Sequence, residues 1–246
     1  MSSTIVLITG ANRGIGRGLL ESYLLRPNHT VIAANRDPNH PTSKTLHDLP
    51  RADGTTLLLV QIDATVPEHP AKAVQTLQGH GIDHIDILIA NAGVAYLWPK
   101  VRDVKTEDMK KHMVPNVYGV VWLFQAMLPL LKRAKAPKWV TIGSSAGYLS
   151  NMLPVQNAAY APSKVVVHWL TKAISIEEPW LTAFPIDPGW VQTDLGNRGA
   201  EALGQKEATV TLEDSVAGLM KVINAVSKET HSGRLWVYTG EEVPAW

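Results

Sequence analysis

The sequence contains no cysteine, which excludes disulfide bonds, thiolate metal ligands and cysteine nucleophiles. Charge is also scarce, because only 18% of the 246 residues are Asp, Glu, Lys or Arg and the formal net charge is +1. A chain with so little net charge gives no electrostatic reason to expect a nucleic acid or a membrane surface as partner. The 45% of hydrophobic residues suffice for a large core, which argues against disorder.

Targeting and low-complexity segments are missing as well. We expect no membrane-spanning helix, because no apolar run resembles the length that such a helix needs. The first residues, MSSTIVLITG, lack the basic region and the cleavage site of a secretory signal. Internal repeats and charged tails are also absent. We therefore expect a single domain over residues 1–246, located in the cytoplasm.

Strand-like and helix-like segments alternate along the whole chain. The strand-like segments are nearly continuous apolar runs, which indicates burial on both faces and hence a parallel sheet between two helical layers. This pattern predicts an α/β, doubly wound fold with about seven strands. The predicted strands are 4–9, 30–34, 57–62, 85–90, 138–142, 181–186 and 235–238, and the predicted helices are 15–25, 42–49, 67–77, 113–131, 158–176 and 212–226.

A glycine-rich loop joins the first predicted strand to the first predicted helix. Gly10 suits a sharp turn, Gly14 lets the backbone approach a pyrophosphate, and Gly16 lets the helix pack closely on the strand. The N-terminus of the helix then offers free N–H groups and the positive end of its dipole to phosphates. The alternative is an ordinary strand-to-helix turn, but the strand before and the helix after the loop favour a dinucleotide site. The loop positions taken as cofactor contacts are Gly10, Asn12, Arg13, Gly14, Ile15 and Gly16.

Later motifs extend the glycine pattern and appear in a definite order. They are Asn91-Ala92-Gly93, Asn116 to Gly119, Ser144 to Gly147, Tyr160 to Lys164, and Pro188-Gly189 with Thr193. Together with the Gly-x-x-x-Gly-x-Gly spacing, they make the chain resemble the short-chain dehydrogenase/reductase family over nearly its whole length. Stretches such as PGWVQTDLGN and VIAANRDP are similar, more narrowly, to fungal ketoreductases of the norsolorinic-acid type. The resemblance implies a small-molecule carbonyl or alcohol substrate and a homodimer or homotetramer.

The end of the second predicted strand indicates which dinucleotide is bound. A fold that prefers NAD places an acidic residue there for the ribose 2′-OH, but this chain has Asn35 followed by Arg36. Arg36 and Arg13 of the glycine loop are two guanidinium groups that suit a 2′-phosphate. We therefore predict NADP(H) as the cofactor. The alternative is that Arg36 only pairs with the neighbouring Asp37 at the surface.

The family resemblance implies further cofactor contacts on later loops. Asp63 follows the third strand, where the family contacts the adenine ring; the alternative is that it only forms a turn. The other implied contacts are Asn91, Ala92, Gly93, Lys164, Pro188, Gly189, Val191 and Thr193.

The expected chemistry depends on Tyr160 and Lys164, which are four residues apart on a predicted helix and so share one face. A free tyrosine has a pKa of about 10, and a nearby ammonium lowers it toward the range useful for general acid catalysis. The resemblance assigns Tyr160 as the acid that protonates the carbonyl oxygen, and Lys164 as the residue that also holds the nicotinamide ribose. It assigns Ser144 to the substrate oxygen and Asn116 to a water-linked proton path.

Three local features depart from the family pattern. Ser145 lies beside Ser144 and is an alternative for the same role. The interval from Ser144 to Tyr160 is longer than usual, and we interpret residues 148–158 as a loop over the substrate. Asp187 directly precedes Pro188, where it either caps the following turn or marks altered chemistry.

A substrate pocket is expected on the loops that follow the strands, because ligands of open α/β sheets bind there. Its predicted residues are Ser145, Val94, Tyr96, Tyr148, Leu149, Met152, Leu153 and Trp190. Their aromatic and aliphatic side chains suit a flat aromatic or polycyclic ketone. The alternative is that some of them only pack the loops. Residues 192–209 are expected to form a mobile lid. The scattered histidines predict no metal site.

The sequence thus predicts an NADPH-dependent ketoreductase. Two alternatives stay open: a non-redox cyclisation or isomerisation on the same fold, and an NADP-binding regulator without turnover. The complete set Tyr160, Lys164, Ser144 and Asn116 favours the reductase, because a regulator has no need of it.

Overall fold

A single eight-stranded sheet organises the molecule, in a computed structural model that describes residues 3–246. The strand order is β3-β2-β1-β4-β5-β6-β7-β8, and every neighbouring pair is parallel except β7 and β8. The strands are β1 (Thr4–Thr9), β2 (His29–Asn35), β3 (Thr56–Gln61), β4 (Ile87–Ala90), β5 (Lys138–Ile142), β6 (Thr182–Asp187), β7 (Leu235–Val237) and β8 (Glu242–Val243).

Helices cover both faces of this sheet. They are α1 (Gly14–Leu24), α2 (Pro41–Lys44), α3 (His69–Gly79), α4 (Thr106–Met113), α5 (Gly119–Leu131), α6 (Ala161–Glu177), α7 (Asp194–Ala202), α8 (Leu212–Ala225) and α9 (Lys228–His231). Successive residues of β1 point to opposite faces: Val6 and Ile8 pack toward α1 and α8, whereas Ile5 and Leu7 pack toward α3, α5 and α6. Both faces are therefore buried, which explains the continuous apolar strands.

Helices α4 and α5 are joined by an irregular turn. Residues Val114–Tyr118 form a π-helical turn between α4 and α5, so that Thr106–Leu131 is one continuous helical stretch. Within residues 3–246, it is the one helix long and apolar enough to cross a membrane by length and composition, and half of its most apolar part is buried against the protein. The expectation that no such run exists was wrong, since residues 114–131 carry no charged side chain. The core helix of a globular domain has the same properties.

The doubly wound fold class is confirmed, and the differences are local. The sheet has eight strands instead of about seven, because the short β8 folds back against β7. The predicted helix at 42–49 is divided into α2 and a 3₁₀ turn, Thr45–Asp48. The helix predicted to begin at Met113 is part of a helical stretch that begins earlier, at Thr106. The apolar pattern does not indicate its first two turns, because their residues are mostly polar. Helix α6 begins after Tyr160, which places the tyrosine at its N-cap rather than within it.

Candidate active site

The glycine loop lies where the strand order reverses, between β1 and its neighbours β2 and β4. Gly10 and Gly14 have φ angles of +64° and +53°, a conformation that side chains strongly disfavour. A Cβ on Gly16 would collide with the carbonyl oxygen of Gly10 and lie 2.5 Å from the Asn91 amide nitrogen. The expected tight turn and close helix–strand packing are therefore present.

The N-terminus of α1 fits a dinucleotide phosphate. Its N-cap residue, Arg13, makes no side-chain capping hydrogen bond, and the first turn of the helix carries no acidic residue. The first backbone N–H groups of a helix lack partners within the helix and attract anions. The loop that precedes them is kept free of Cβ atoms at Gly10 and Gly14. The site thus has the donors and the space that a pyrophosphate requires.

Asn91 links the end of β4 to the glycine loop. Its side-chain nitrogen donates to the carbonyl oxygens of Thr9 at 2.8 Å and Gly10 at 3.2 Å. The Thr9 hydroxyl in turn accepts the backbone N–H groups of Asn91 and Ala92, both at 3.0 Å. Gly93 follows and is exposed. Asn91 therefore supports the loop directly, while contacts of Asn91, Ala92 and Gly93 with the cofactor stay predictions.

Asn35 and Asn12 are also engaged with the protein around this loop. Asn35 is 1% exposed; its side-chain oxygen accepts the Ala11 N–H at 2.9 Å, and its nitrogen donates to Ser43 at 3.3 Å. Asn12 donates from its side chain to Thr42 at 2.6 Å. In the structure, both amides fix the conformation of the loop.

The two arginines predicted to bind a 2′-phosphate are both exposed at this edge. Arg13 lies 4.0 Å from Asp194 of α7, and both side chains are mostly in solvent, so the pair contributes little. Within the described residues 3–246, Arg36 has no ion-pair partner within 4.0 Å, and the suggested pair with Asp37 does not form. Its guanidinium is therefore not neutralised by the protein.

The remaining predicted cofactor residues lie on loops around the same groove. Asp63 accepts from the N–H and the hydroxyl of Thr65 at 2.8 and 2.7 Å, which is the turn-forming role named as its alternative. Thr193 caps α7 by accepting the Gly196 N–H at 3.1 Å, and its methyl group would lie 3.3 Å from a Cβ on Gly14. Ile15 packs on the core, Pro188 and Val191 are buried, and Gly189 has a φ of +80°.

Tyr160 and Lys164 lie together, as expected, with the Lys164 ammonium nitrogen 5.8 Å from the centre of the Tyr160 ring. Lys164 is 8% exposed and donates to the carbonyl oxygen of Ile142 at 2.8 Å. Burial lowers the pKa of Lys164 to about 8, against the opposing effect of the Asp187 charge. The expected lowering of the tyrosine pKa is not found. Burial raises the pKa of Tyr160, a hydrogen bond with Ser144 opposes the rise, and Asp187 adds to it.

Ser144 is held by a residue that the sequence analysis did not identify. His168 of α6 is 1% exposed, and its Nε2 accepts the Ser144 N–H at 3.2 Å. The ring fills the space beside Gly143 and Gly147, where Cβ atoms would lie 2.5 and 2.8 Å from it. Burial, and then the Lys164 charge, lower the pKa of His168 to about 3, so this acceptor stays neutral. Ser145, the alternative to Ser144, lies in the adjoining 3₁₀ turn.

Asn116 lies in the π-helical turn and is 3% exposed. Its side-chain oxygen accepts the Val94 N–H at 2.8 Å, and its nitrogen donates to the Val94 carbonyl at 2.9 Å and to Ser163 at 3.0 Å. It thereby ties the loop after β4 to the start of α6. Its predicted part in a proton path stays a prediction.

A second unidentified histidine fixes the same loop further along. His112 is fully buried, its Nε2 accepts the Tyr96 N–H at 2.9 Å, and its Nδ1 faces the Asp108 carbonyl at 2.7 Å. Its ring meets the Tyr160 ring edge-on at 6.3 Å. The spacing of both histidines could have indicated their place at the site. His168 follows Lys164 by one helical turn, and His112 precedes Asn116 by one helical turn, so each shares a helix face with a predicted site residue.

Several of the predicted pocket residues are exposed apolar side chains on the loops that follow β4 and β5. Tyr96 is 47% exposed, Leu149 64%, Met152 71% and Leu153 44%. Trp190 is half-buried and donates from its ring to the Gly196 carbonyl at 3.1 Å. Trp190 therefore supports α7, as its loop-packing alternative proposed, while the exposed side chains are free to meet a ligand.

The segment predicted as a lid contains more order than a loop. Helix α7 occupies half of residues 192–209, and Gly199 packs close to the ring of Trp98. Gln192 and Asn197 hold the returning chain through hydrogen bonds to Ala208, each of 3.1 Å. Movement of residues 192–209 as a lid stays a prediction. Among residues 3–246, no group of three or more acidic or histidine side chains is arranged to hold a metal ion.

These features define a dinucleotide-binding α/β protein with a tyrosine and a lysine beside the binding groove. Residues 4–204 match the family model described as short chain dehydrogenase. The chain therefore belongs to the short-chain dehydrogenase/reductase family, a class of oxidoreductases that act on alcohols and carbonyls.

Several curated relatives are similar over nearly the full length. The chain is 42% identical over 249 residues to norsolorinic acid ketoreductase nor1 of Dothistroma septosporum, covering 98% of this chain and 92% of that protein. It is 40% identical over 248 residues to the short-chain dehydrogenase srdF of Neurospora crassa, covering 98% of each. The narrower resemblance to fungal ketoreductases of the norsolorinic-acid type is thus confirmed.

A solved structure shares both fold and sequence features. The NADPH-bound carbonyl reductase from chicken fatty liver superposes with a TM-score of 0.86 over all of both chains at 29% identity. The carbonyl reductase Sniffer of Drosophila melanogaster, at 22% identity and a TM-score of 0.84, has the same fold.

Proposed function

We propose that the protein is an NADPH-dependent ketoreductase that acts on a carbonyl of an aromatic or polycyclic small molecule. The observation that carries this proposal is the placement of Lys164 beside Tyr160, at 5.8 Å, at the end of β5 and thus at the same edge of the parallel sheet as the glycine loop after β1. The similarity to norsolorinic acid ketoreductases and to an NADPH-bound carbonyl reductase supports it. The exposed apolar side chains of Tyr96, Leu149 and Met152, on the loops after β4 and β5, suit a flat substrate.

The chain's own residues divide the work of the reaction. The N-terminus of α1 binds the pyrophosphate, and Arg36 with Arg13 binds the 2′-phosphate. When bound, NADPH supplies the hydride. Ser144 and Tyr160 hold the substrate oxygen by hydrogen bonds, and Tyr160 donates its phenolic proton to that oxygen. The raised pKa of Tyr160 makes it a weaker acid in the chain alone, and the nearby Lys164 ammonium stabilises the phenolate that forms as the proton leaves.

The proposal is tested by NADPH oxidation with a panel of aromatic ketones. Replacing Tyr160 by Phe removes only the hydroxyl, so we expect kcat to fall about 10²- to 10⁴-fold, with NADPH affinity retained. NADPH oxidation that survives Tyr160→Phe would contradict the role of Tyr160, whereas consumption of the ketone without NADPH oxidation would favour a non-redox reaction. Binding of NADPH without turnover of any ketone would favour a regulator.

Cofactor preference has a separate test. Arg36→Ala removes an exposed guanidinium that no acidic residue of the described chain neutralises. Losing a charge-assisted hydrogen bond of about 1.5–3 kcal/mol raises the NADPH KM about 10- to 100-fold, while the NADH KM stays nearly constant. An unchanged ratio of the two KM values would remove Arg36 from the site.

A further inference from the structure

Trp246 packs on α6, although it lies far from that helix in the sequence. Strand β8 pairs with β7 at the edge of the sheet, and Pro244 and Ala245 beyond it are exposed. The Trp246 ring, in contrast, is half-buried, and its centre lies 5.9 Å from that of the His168 ring. The Lys172 ammonium lies 4.8 Å from the centre of the same Trp246 ring. Two contacts with one helix therefore hold Trp246 in place.

His168 connects Trp246 to the predicted active site. Its Nε2 accepts the Ser144 N–H at 3.2 Å, and its ring fills the space beside Gly143 and Gly147. A neutral imidazole that accepts at Nε2 carries its proton on Nδ1. This Nδ1 lies against Gly147, is buried, and has no hydrogen-bond partner among residues 3–246. A single hydrogen bond therefore orients the ring, and the packing around it fixes the rest.

Two aromatic rings pack on this imidazole. The Tyr148 ring, from the loop after β5, lies 6.3 Å away at an angle of 42°, and its hydroxyl donates to Asp187. The Trp246 ring is closer and stands at 88° to the imidazole, which is the edge-to-face arrangement that aromatic pairs favour. His168 is only 1% exposed with Trp246 in this place. Removing the indole would therefore admit water to the imidazole and free it to turn.

We propose that Trp246 is a positioning residue of the active site, whose ring holds the His168 imidazole in the orientation in which Nε2 accepts the Ser144 N–H. Ser144 is thereby kept where its hydroxyl can bind the substrate oxygen. The role of Ser144 in this inference rests on the proposed function, whereas the state of the His168 ring does not. The two parts are therefore tested separately.

The first test follows the His168 ring without cofactor or substrate, by NMR of protein labelled with ¹⁵N in histidine. The His168 signals are identified by their loss in His168→Gln, and spectra are recorded at pH 7.5, where a histidine is neutral. In the unaltered protein we expect one tautomer, with the proton on Nδ1, and hence two widely separated ¹⁵N shifts. Trp246→Ala should mix the two tautomers and bring the shifts together. Two widely separated shifts in Trp246→Ala would overturn the inference.

Two matched variants control this measurement. Trp246→Phe keeps an aromatic ring on His168 and should keep the single tautomer. Trp180→Ala also removes a half-buried tryptophan with an ammonium near its ring, that of Lys132 at 5.7 Å. Trp180 lies just before β6, at the sheet edge opposite the glycine loop, so His168 should be unchanged. Equal mixing of tautomers in Trp180→Ala would overturn the inference.

A second substitution covers the case in which Trp246→Ala does not fold, as judged by circular dichroism. Trp246→Leu keeps part of the side-chain volume but lacks the flat ring, and it should also mix the His168 tautomers. A single tautomer in a folded Trp246→Leu variant would count against the inference in the same way.

The second test compares kinetic constants with NADPH and a ketone. In the proposed function Ser144 contacts the substrate, so Trp246→Ala should lower kcat/KM for the ketone about 10- to 100-fold and leave the NADPH KM unchanged. Trp246→Phe should restore most of this loss. An active unaltered enzyme whose Trp246→Ala variant keeps its kcat/KM would contradict the inference and leave the proposed function intact. Inactivity of the unaltered enzyme, with mixed tautomers in Trp246→Ala, would contradict the proposed function and support the positioning of His168.

Discussion

At the scale of single residues, the site depends on histidines that accept hydrogen bonds instead of transferring protons. His168 accepts the Ser144 N–H, and His112 accepts the Tyr96 N–H. An imidazole accepts only through an unprotonated nitrogen, so each contact requires a neutral ring. Both loops that carry predicted substrate contacts are thus fixed by neutral imidazoles.

His168 makes the stability of the protein depend on pH. Its pKa is about 3 in the folded chain, against the usual 6.5, so the unfolded chain binds a proton that the folded chain excludes. Stability from this group is complete above pH 6.5 and is lost as pH falls, by up to about 1.4 kcal/mol for each pH unit. Urea unfolding of His168→Gln at pH 7.5 and pH 5 should show a smaller difference than the unaltered protein.

Glutamine is chosen because its amide oxygen can replace the Nε2 acceptor for Ser144. His47→Gln, at an exposed position, provides the control and should keep the original pH dependence. If the free energy of unfolding changes equally between pH 7.5 and pH 5 in all three proteins, His168 is protonated readily in the folded chain.

At the scale of elements, α1 packs closely against the glycine loop at Gly16. Gly16→Ala brings a methyl group against the Gly10 carbonyl and the Asn91 amide. We expect a loss of about 1–3 kcal/mol in the free energy of unfolding, and weaker NADPH binding because the N-terminus of α1 moves. Thermal unfolding and NADPH fluorescence titration measure the two effects.

Gly79→Ala is the matched control for this substitution. Gly79 is the last residue of α3, and a Cβ there meets no atom within 4 Å. Alanine should be neutral or stabilise by about 0.4–1 kcal/mol, with unchanged NADPH binding. Equal losses of stability and of NADPH binding in both variants would show that the close approach of Gly16 to Gly10 and Asn91 does not cause the effect.

The sequence predicts the elements whose signal is local. The boundaries of β5 agree to the residue because its apolar run is bounded by Pro137 and Gly143, and the glycine loop carries its own turn chemistry. Strand β8 has only two residues and no hydrophobic periodicity, and its formation depends on antiparallel pairing with β7. The raised pKa of Tyr160 was likewise not predictable, because burial and the Asp187 charge come from residues distant in sequence.

At the scale of the whole molecule, α6 presents an apolar face that the described chain leaves exposed. Trp169 is 65% and Ile176 71% exposed, and they are two helical turns apart on one side. Burying such side chains between subunits is favourable, which agrees with the homodimer or homotetramer expected from the family resemblance.

A charge on this face should separate the subunits. For Trp169→Glu we expect light scattering to give the 26.9 kDa of one chain, with an unchanged circular dichroism spectrum. Leu25→Glu, at a position 61% exposed after α1, serves as the control and should keep the larger mass. If the unaltered protein already has the mass of one chain, the expected oligomer is wrong.

The π-helical turn at Val114–Tyr118 gives this stretch one residue more than an ordinary α-helical turn would hold, because its hydrogen bonds span five residues instead of four. Deleting one residue here would convert the turn to an ordinary α-helix and would leave Leu123 and Met127 of α5 facing the sheet as before. The side chains inside the turn would change direction, and Asn116 would lose its hydrogen bonds to Val94. The additional residue therefore serves the placement of Asn116 and not the packing of α5, so a chain without it should still fold.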